Sequence, residues 1–186
     1  MKRIFDLLTS LTLLMVLVLP LMIIAIVVKI TSKGTILFWS ERIGCNNKIF
    51  NMPKFRTMKT NTPNKATHLL KKPDYFITPF GLLLRRFSVD ELPQLFSIIK
   101  GDMSFVGPRP ALFNQNDLIE MRNLEKINTL IPGLTGWAQV NGRDGLSMHQ
   151  KVSLDKEYME NQSFWFDLKI IWTTLIKTIK NQDVSH

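Results

Sequence analysis

The sequence predicts a mainly α-helical fold with short β-strands or a β-hairpin, attached to a membrane near its N-terminus. The prediction rests on an uncharged apolar run over residues 7–28, on weakly alternating segments over residues 35–58, and on later segments with apolar residues at helical spacing. We expect a membrane-anchoring helix over residues 1–33 and one small cytoplasmic domain over residues 34–186, surrounded by interfacial amphipathic helices.

The apolar run, Leu7–Val28, contains 22 residues without a charge. A straight helix of that length would extend about 33 Å, close to the membrane hydrocarbon thickness of about 30 Å. Length alone therefore favours a helix that crosses the membrane once. No small-residue cleavage site of a signal peptide follows the run.

Pro20 and the flanking charges favour a different geometry. An interior proline removes a backbone hydrogen bond and kinks a helix, and it leaves two segments that are each nearer one leaflet than two in length. Basic residues flank the run on both sides, namely Lys2, Arg3, Lys29 and Lys33. The positive-inside rule then places both ends on the cytoplasmic side or gives no answer. A re-entrant helical hairpin, broken at Pro20, satisfies both observations.

The net charge of +9 is concentrated in one part of the chain. Residues 42–86 contain ten Lys or Arg and a single acid, Asp74, whereas the remaining residues sum to zero. This basic block favours an anionic surface or ligand, with lipid headgroups and nucleic acid as candidates. Cys45 is the single cysteine, which excludes a disulfide framework and a cysteine-based metal site.

Residues 35–58 are predicted to form short strands or a hairpin, because weak alternation surrounds a turn-forming group of glycine and asparagines. Lys54 and Arg56 would share one face of an extended strand. A solvated basic edge is the simpler interpretation of that face. Further on, Thr78 followed by Pro79 predicts a helix start, with Thr78 as the N-cap.

The segment from Arg85 to Pro110 combines residue types suited to phosphate chemistry. Asp90 and Glu91 are adjacent carboxylates at the start of an apolar-periodic segment. Arg109 lies between two prolines, which stiffen the backbone around a planar, anion-binding side chain. These features favour a preorganised anion clamp.

A capping box is the simpler interpretation of the acidic pair. Ser88 would cap a helix, Glu91 would return to the Ser88 amide, and Asp90 would complement the helix dipole. Pro93 weakens this interpretation, because a proline near the first turn removes a helical hydrogen bond.

Three later segments complete the prediction. Residues 116–130 form an amphipathic helix by pattern, and residues 132–145 are glycine-rich with a typical hairpin-turn pair, Asn141 and Gly142. Residues 164–180 place apolar side chains along one side and lysines largely elsewhere. That pattern is typical of an in-plane interfacial helix and nearly as compatible with a buried core helix.

Four blocks of sequence resemble the bacterial sugar transferase family, the monotopic phosphoglycosyl transferases that begin glycoconjugate assembly on polyprenol phosphate. The blocks occur in the family's order and cover most of the chain: residues 54–58, 88–95, 100–110 and 132–143. Two departures stand out. Family members often have Ser-Pro at the membrane break, where this chain has Leu19 before Pro20, and they frequently continue Gly-Arg-Asn where this chain has Asp144.

The resemblance implies a reaction and its participants. A UDP-sugar would transfer phospho-sugar to undecaprenyl phosphate with release of UMP, at the cytoplasmic face of the bacterial inner membrane. In the family's proposed ping-pong course, Asp90 would be the nucleophile of a covalent phospho-sugar intermediate and Glu91 the supporting acid/base residue. Mg²⁺ would be the cofactor, with Asp90 as its protein ligand. Family members often associate in membranes, which allows a homodimer.

The resemblance also assigns substrate contacts. Arg109 is the expected planar grip on phosphate, with Lys54, Arg85 and Arg143 as further phosphate or nucleotide ligands and Pro108 in the same loop. Arg85 and Arg86 both lie off the centre of their helix's apolar face, and Arg85 occupies the family's position. The domain over residues 34–186 is therefore expected to be catalytic and in contact with membrane lipids.

Two functions from other classes fit parts of the pattern. A membrane-anchored scaffold would use the apolar helices and leave Asp90 and Glu91 as a helix cap. A nucleic-acid-binding module would use the basic block, but that block contains no recognisable binding motif and follows a membrane segment. Nucleic acid is therefore not an expected partner.

Overall fold

The computed structural model describes residues 1–63, 73–142 and 145–179, and this part of the chain is mostly helical with four short strands. The helices are α1 (Lys2–Thr31), α2 (Pro73–Phe76), α3 (Pro79–Arg86), α4 (Leu95–Lys100), α5 (Asn116–Leu124), α6 (Trp137–Val140), α7 (Met148–Glu160) and α8 (Phe164–Ile179). Short 3₁₀ helices cover Cys45–Asn47, Val89–Gln94 and Ile127–Thr129. The strands are β1 (Leu37–Ile43), β2 (Ile49–Phe55), β3 (Ser104–Val106) and β4 (Gly133–Thr135). The predicted mainly helical class with short strands is confirmed.

The predicted hairpin over residues 35–58 is confirmed as an antiparallel pair of β1 and β2, in which Leu37 lies opposite Phe55 and Ile43 opposite Ile49. The 3₁₀ turn between the strands places Asn46 and Asn47 at φ of 53° and 61°. Asparagine tolerates this left-handed conformation better than most residues, so the turn's composition fits its geometry. The hairpin orients Lys54 near the end of β2.

Strands β3 and β4 form a second, parallel pair, with Ser104 opposite Gly133 and Val106 opposite Thr135. The glycine-rich segment thus supplies a strand and the short helix α6, and Asn141 follows α6 with its side-chain amide on the Trp137 carbonyl at 2.8 Å. The hairpin-turn interpretation of the Asn141 segment is therefore wrong. The parallel pair positions the loop that follows Val106.

The main core packs β2, α4, β3, α6, α7 and α8 around one apolar cluster. Its fully buried members include Leu95, Ile98, Met103, Tyr158 and Ile170. Each such side chain contributes roughly 1.5–3 kcal/mol through burial. The cluster therefore fixes α4 against β2, and the acidic segment immediately before α4 with it.

Two helices agree with the sequence to different degrees. The Thr78 hydroxyl accepts a hydrogen bond from the Gly81 amide at 3.0 Å, and Pro79 is the first residue of α3, so the predicted start is confirmed. The predicted helix over residues 116–130 is shorter, because α5 ends at Leu124. Lys126 has a φ of 59°, which a continuous helix cannot include, and a 3₁₀ turn follows.

Helix α1 runs without interruption through Pro20, and its apolar surface is mostly bare. Within residues 2–31 the buried residues are Asp6, Ser10 and Val28. By length and composition α1 could cross a membrane, and it alone meets that test among the described helices. Pro20 does not separate two helices here, and the predicted re-entrant hairpin stays a prediction.

Both ends of α1 contact the rest of the protein. At its start, Arg3 donates to the carbonyls of Ile98 and Ile99 at the end of α4. Near its end, Val28 packs in an apolar cluster with Phe55 and Leu84. Between the ends, Leu13, Leu14 and Leu21 pack at the edges of the apolar clusters, whereas Met15, Val16 and Leu19 are exposed.

Helix α8 has a buried face and an exposed apolar face. Ile170 and Asp167 are buried, whereas Trp165 and Trp172 are 79% and 66% exposed. The two interpretations of this segment thus each describe one side of the helix. Its contact with a membrane surface stays a prediction.

Candidate active site

The acidic pair lies on the 3₁₀ helix Val89–Gln94, which contains Pro93. Ser88, just before it, has a φ of 54° and makes no capping hydrogen bond through its side chain. The capping-box interpretation is therefore wrong. The 3₁₀ segment tolerates Pro93 because regular α-helical bonding begins only at Leu95.

Glu91 is the centre of an ion-pair cluster. Its Oε1 accepts hydrogen bonds from Lys54 Nζ and from Arg109 Nη2, each at 2.8 Å. The Lys54 and Glu91 side chains are only 16% and 14% exposed, whereas that of Arg109 is 40% exposed. Strand β2 and the loop after β3 thus converge on one carboxylate oxygen.

The environment gives the two acids opposite protonation behaviour. Burial disfavours the charged form of Glu91, but Arg109 and Lys54 outweigh it and hold the pKa of Glu91 well below its usual range. Burial raises the pKa of Asp90, and the neighbouring Glu91 charge adds to this rise, whereas Lys54 and Arg85 oppose it. Such divergence within one carboxylate pair is typical of a site where the two acids have different roles.

Arg85 extends from the last turn of α3 toward the acidic pair. Its Nε donates to the Thr57 hydroxyl at 3.0 Å, and Thr57 itself is buried. Burial lowers the pKa of Arg85, while the charge of Asp90 raises it. Arg86, by contrast, is exposed and lies over the ring of Phe87, 5.7 Å from its centroid.

Lys54 approaches the pair from the end of β2. Burial lowers its pKa, and the neighbouring Glu91 carboxylate opposes this effect. Arg56, two residues along the chain, turns elsewhere: its side chain donates to the carbonyl and the hydroxyl of Thr35. Only Lys54 of this basic pair joins the acidic cluster.

Arg42 is a further cation of this cluster that the sequence patterns did not single out. Burial and the charge of Arg109 lower its pKa to about 10, and Glu91 opposes them. Its side chain donates to the Ser40 hydroxyl at 3.0 Å and the Pro110 carbonyl at 3.1 Å. Alternation along β1, which puts Ser40 and Arg42 on one face, was the available signal.

The remaining predicted ligands lie differently. Pro108 contributes through its backbone, because its carbonyl accepts from the Gly133 amide at 3.0 Å. Arg143 lies outside the described residues. The structure therefore brings together Asp90, Glu91, Lys54, Arg85 and Arg109.

The described residues can hold Mg²⁺ only together with oxygen ligands from substrate phosphates and water. No group of three or more His, Cys, Asp or Glu side chains converges within residues 1–63, 73–142 and 145–179. Lys54 and Arg109 both bind Oε1 of Glu91, and Asp90 is the neighbouring carboxylate. Mg²⁺ often binds through one or two carboxylates together with substrate phosphates and water. Asp90 fits that mode.

Comparison with known proteins identifies the family. A family model described as bacterial sugar transferase matches residues 1–181. The chain belongs to the bacterial sugar transferase family. The resemblance carried by the four sequence blocks is thereby confirmed.

Relatives within the bacterial sugar transferase family differ in length. An undecaprenyl-phosphate glucose phosphotransferase from Komagataeibacter xylinus is 39% identical over 96% of this chain, which covers 36% of that protein. The UDP-glucose:undecaprenyl-phosphate glucose-1-phosphate transferase of Escherichia coli is 38% identical over 98% of this chain and 41% of its own length. The uncharacterized sugar transferase EpsL of Bacillus subtilis is 37% identical over the whole chain and 91% of its own length. The chain thus spans about two fifths of the first two relatives and nearly all of the third.

Proposed function

We propose that the chain is a phosphoglycosyl transferase that moves phospho-sugar from a UDP-sugar to undecaprenyl phosphate and releases UMP, the first membrane step of glycoconjugate synthesis. One observation carries the proposal: the buried Asp90 lies beside Glu91, whose charge is already balanced by Lys54 and Arg109. Family membership and the names of the Escherichia coli and Komagataeibacter xylinus relatives support the substrate class.

In the proposed first step, a carboxylate oxygen of Asp90 attacks the phosphorus that bears the sugar. A bond forms between this oxygen and phosphorus, the bond from phosphorus to the bridging oxygen breaks, and UMP leaves with that electron pair. Attack by an anion on a diphosphate needs its negative oxygens neutralised, since positioning and electrostatics supply most of the catalysis in phosphoryl transfer. Arg85 and Lys54, which both act on Asp90 electrostatically, are placed for this role.

In the second step, a phosphate oxygen of undecaprenyl phosphate attacks the same phosphorus. The bond to Asp90 breaks, the carboxylate is regenerated, and an undecaprenyl diphosphate sugar leaves. Arg109 supplies a planar grip for substrate phosphate while its hydrogen bond to Glu91 keeps its side chain in place. Glu91 thus holds two cations in place, and because its pKa is lowered it would act as a supporting acid/base residue from its ionised form, by accepting a proton.

Mg²⁺, held by Asp90 and substrate phosphate, would neutralise charge on the diphosphate when bound. The residues named above would orient the donor around that site. Because Asp90 is both the proposed ligand and the proposed nucleophile, the substitution Asp90→Asn should remove both properties together.

We further propose that α1 enters and leaves the membrane on the cytoplasmic side, as a re-entrant helix bent at Pro20. The contacts at its two ends support this topology, since Arg3 binds the end of α4 and Val28 packs against α3 and β2. A helix that crossed the bilayer could not bring both ends to one domain. The exposed apolar residues near the middle of α1 would lie in the membrane and hold the active site near the lipid substrate's phosphate.

The test is UMP release by purified protein in lipid with undecaprenyl phosphate, Mg²⁺ and a panel of UDP-sugars. The panel includes UDP-glucose and UDP-N-acetylgalactosamine, which relatives' names contain. Wild type is compared with Asp90→Asn and with Asp117→Asn, the same change at an exposed aspartate. Release that is lost only in Asp90→Asn supports the proposal.

Two further outcomes decide between alternatives. Exchange of labelled UMP into the UDP-sugar without undecaprenyl phosphate would support the covalent intermediate, and its absence in an active enzyme would exclude the ping-pong course. If folded wild-type protein releases no UMP with any donor of the panel, while an active relative does so as positive control, the result would favour a membrane scaffold.

A further inference from the structure

The loop that carries Arg109 is anchored through its carbonyl oxygens. Pro108 and Pro110 have no amide hydrogen, so their backbone hydrogen bonds can form only through their carbonyls. Four successive carbonyls accept hydrogen bonds from three different parts of the fold: Pro108 from the Gly133 amide at 3.0 Å, Arg109 from Arg122 Nη1 at 2.8 Å, Pro110 from Arg42 Nη1 at 3.1 Å and Ala111 from the Ile43 amide at 2.9 Å.

Arg122 is itself fixed in orientation. Its Nη2 and Nε donate to Asp155 Oδ2 at 2.6 Å and 3.1 Å, which leaves Nη1 for the Arg109 carbonyl. The side chains of Arg122 and Asp155 are only 11% and 1% exposed. Because a guanidinium is planar and rigid, its position on Asp155 determines where Nη1 points.

A small cleft of about 30 Å³ adjoins this loop and is lined by Pro108, Pro110 and Arg122 among others. Pro108, Pro110 and Ala111 are themselves buried, so packing and the hydrogen bonds to the carbonyls act together on the loop.

We infer that Arg122 is a positioning residue: held by Asp155, it fixes the main chain of Arg109 so that the Arg109 side chain meets Glu91 and the incoming phosphate. The inference rests on the proposed function, because the grip of Arg109 on phosphate belongs to that proposal. Arg42 donates to the Pro110 carbonyl, but its charge also interacts with that of Glu91. A substitution of Arg42 would therefore change both the anchoring of the loop and the electrostatics of the acidic pair. Arg122 offers the cleaner test.

The chain contains a matched control for the structural role of this ion pair. Lys156 and Glu125 form a 2.6 Å pair that also joins α7 to the end of α5, on an exposed surface. Glu125→Gln removes one charge from the junction between α5 and α7 and leaves the hydrogen bond from Arg122 to the Arg109 carbonyl in place. An effect that follows from loosening α5 against α7 should appear in this variant too.

The decisive experiment is a double-mutant cycle on kcat/KM, with Arg122→Gln, Arg109→Ala and both together. We expect Arg122→Gln alone to lower kcat/KM about 10²-fold, the order that misplacement of a substrate-positioning group costs. In the Arg109→Ala background the same change should have little further effect, because there is no guanidinium left to position. Equal losses in both backgrounds, or full activity of Arg122→Gln, would overturn the inference.

A conservative variant covers the case in which Arg122→Gln fails to fold. Arg122→Lys keeps a charge for Asp155 but cannot place three nitrogens on two acceptors in one rigid plane. Its melting temperature should be close to that of wild type, but its kcat/KM should be roughly tenfold lower. A tenfold loss corresponds to about 1.4 kcal/mol of transition-state stabilisation. Full activity of this folded variant counts against the inference.

Hydrogen exchange separates this inference from the proposed function. Amide hydrogens in a peptide covering residues 104–113 should exchange faster in Arg122→Gln than in wild type. In Glu125→Gln their exchange rate should equal that of wild type. If wild-type protein releases no UMP with any donor, the proposed function fails while faster exchange still supports the anchor. Unchanged exchange in Arg122→Gln would overturn the anchor even in an active enzyme.

Discussion

Lys2 and Asp167 form an ion pair, 2.6 Å from Nζ to Oδ2, that joins the first turn of α1 to α8. The same ammonium donates to the Val106 carbonyl at 2.8 Å and to the Tyr158 hydroxyl at 2.9 Å. Three acceptors from three elements thus surround one cation. The positive charge at the start of α1 is used inside the protein, close to the strand that leads into the Arg109 loop.

Replacing Lys2 with alanine should destabilise the fold. Asp167 is buried and would be left with Tyr158 as its polar partner, and removing one member of a buried pair costs about 3–5 kcal/mol. Because the Lys2 side chain is 29% exposed, we expect about 2 kcal/mol. Denaturant unfolding in detergent measures the change, with Lys29→Ala at the exposed far end of α1 as control. Equal stability of the two variants would contradict the prediction.

Asp90→Asn should stabilise the fold at neutral pH while abolishing transfer. The pKa of Asp90 is raised in the folded state, so ionisation of this group costs stability as the pH rises from its unfolded pKa through its folded pKa. The asparagine avoids that cost, as expected where function opposes stability. Urea unfolding at several pH values should show the advantage at pH 7 and its loss toward pH 4. A variant less stable than wild type at pH 7 would refute this.

The acid limb of the pH–rate profile should respond to Arg85. The proposed nucleophile must be ionised, so kcat/KM should rise with pH through an apparent pKa above the usual aspartate value of about 4. Arg85 lowers the pKa of Asp90, and Arg85→Gln should therefore move this limb to higher pH. Arg86→Gln, an identical change at the exposed neighbour, should leave the limb in place. A limb that stays fixed in both variants would show that Asp90 does not set it.

Thr57 should matter through its hydroxyl. Thr57→Val keeps the shape of the buried side chain but removes the acceptor for Arg85 Nε. A hydrogen bond to a charged group contributes about 1.5–3 kcal/mol, so we expect a loss of about tenfold or more in kcat/KM. Thr57→Ser retains the hydroxyl and should recover most of the activity. Similar losses in the valine and serine variants would point to packing instead.

Some local signals in the sequence were reliable. The start of α3 depends on Thr78 and Pro79 alone, and the β1–β2 hairpin on alternation around Asn46 and Asn47, so neighbouring residues suffice to predict both. The capping box failed although its pattern was also local. Lys54 and Arg109, which are distant in sequence, both bind the Glu91 side chain, which therefore does not return to the Ser88 amide. Ion pairing in a buried site outweighs that one terminal hydrogen bond.

Long-range contacts account for what the patterns could not supply. Arg42 and Arg122 join the site through backbone carbonyls of residues 109 and 110, and a carbonyl leaves no mark in the sequence. Lys2 looked like a topology-determining charge at a membrane boundary, and only the approach of α8 reveals its partner. The family blocks contain Lys54, Asp90, Glu91 and Arg109, which the structure brings together, because a motif records a constellation that spacing alone does not.

The shared oxygen of Glu91 has a consequence for the protein before any donor arrives. Two cations crowded into a poorly hydrated site would repel each other and hinder compaction of the chain. With Glu91 as a resident counter-ion, the site can assemble empty. An arriving anionic ligand would then meet cations whose positions Glu91 already holds. The same carboxylate would thereby serve the folding of the chain and the preorganisation of its cations.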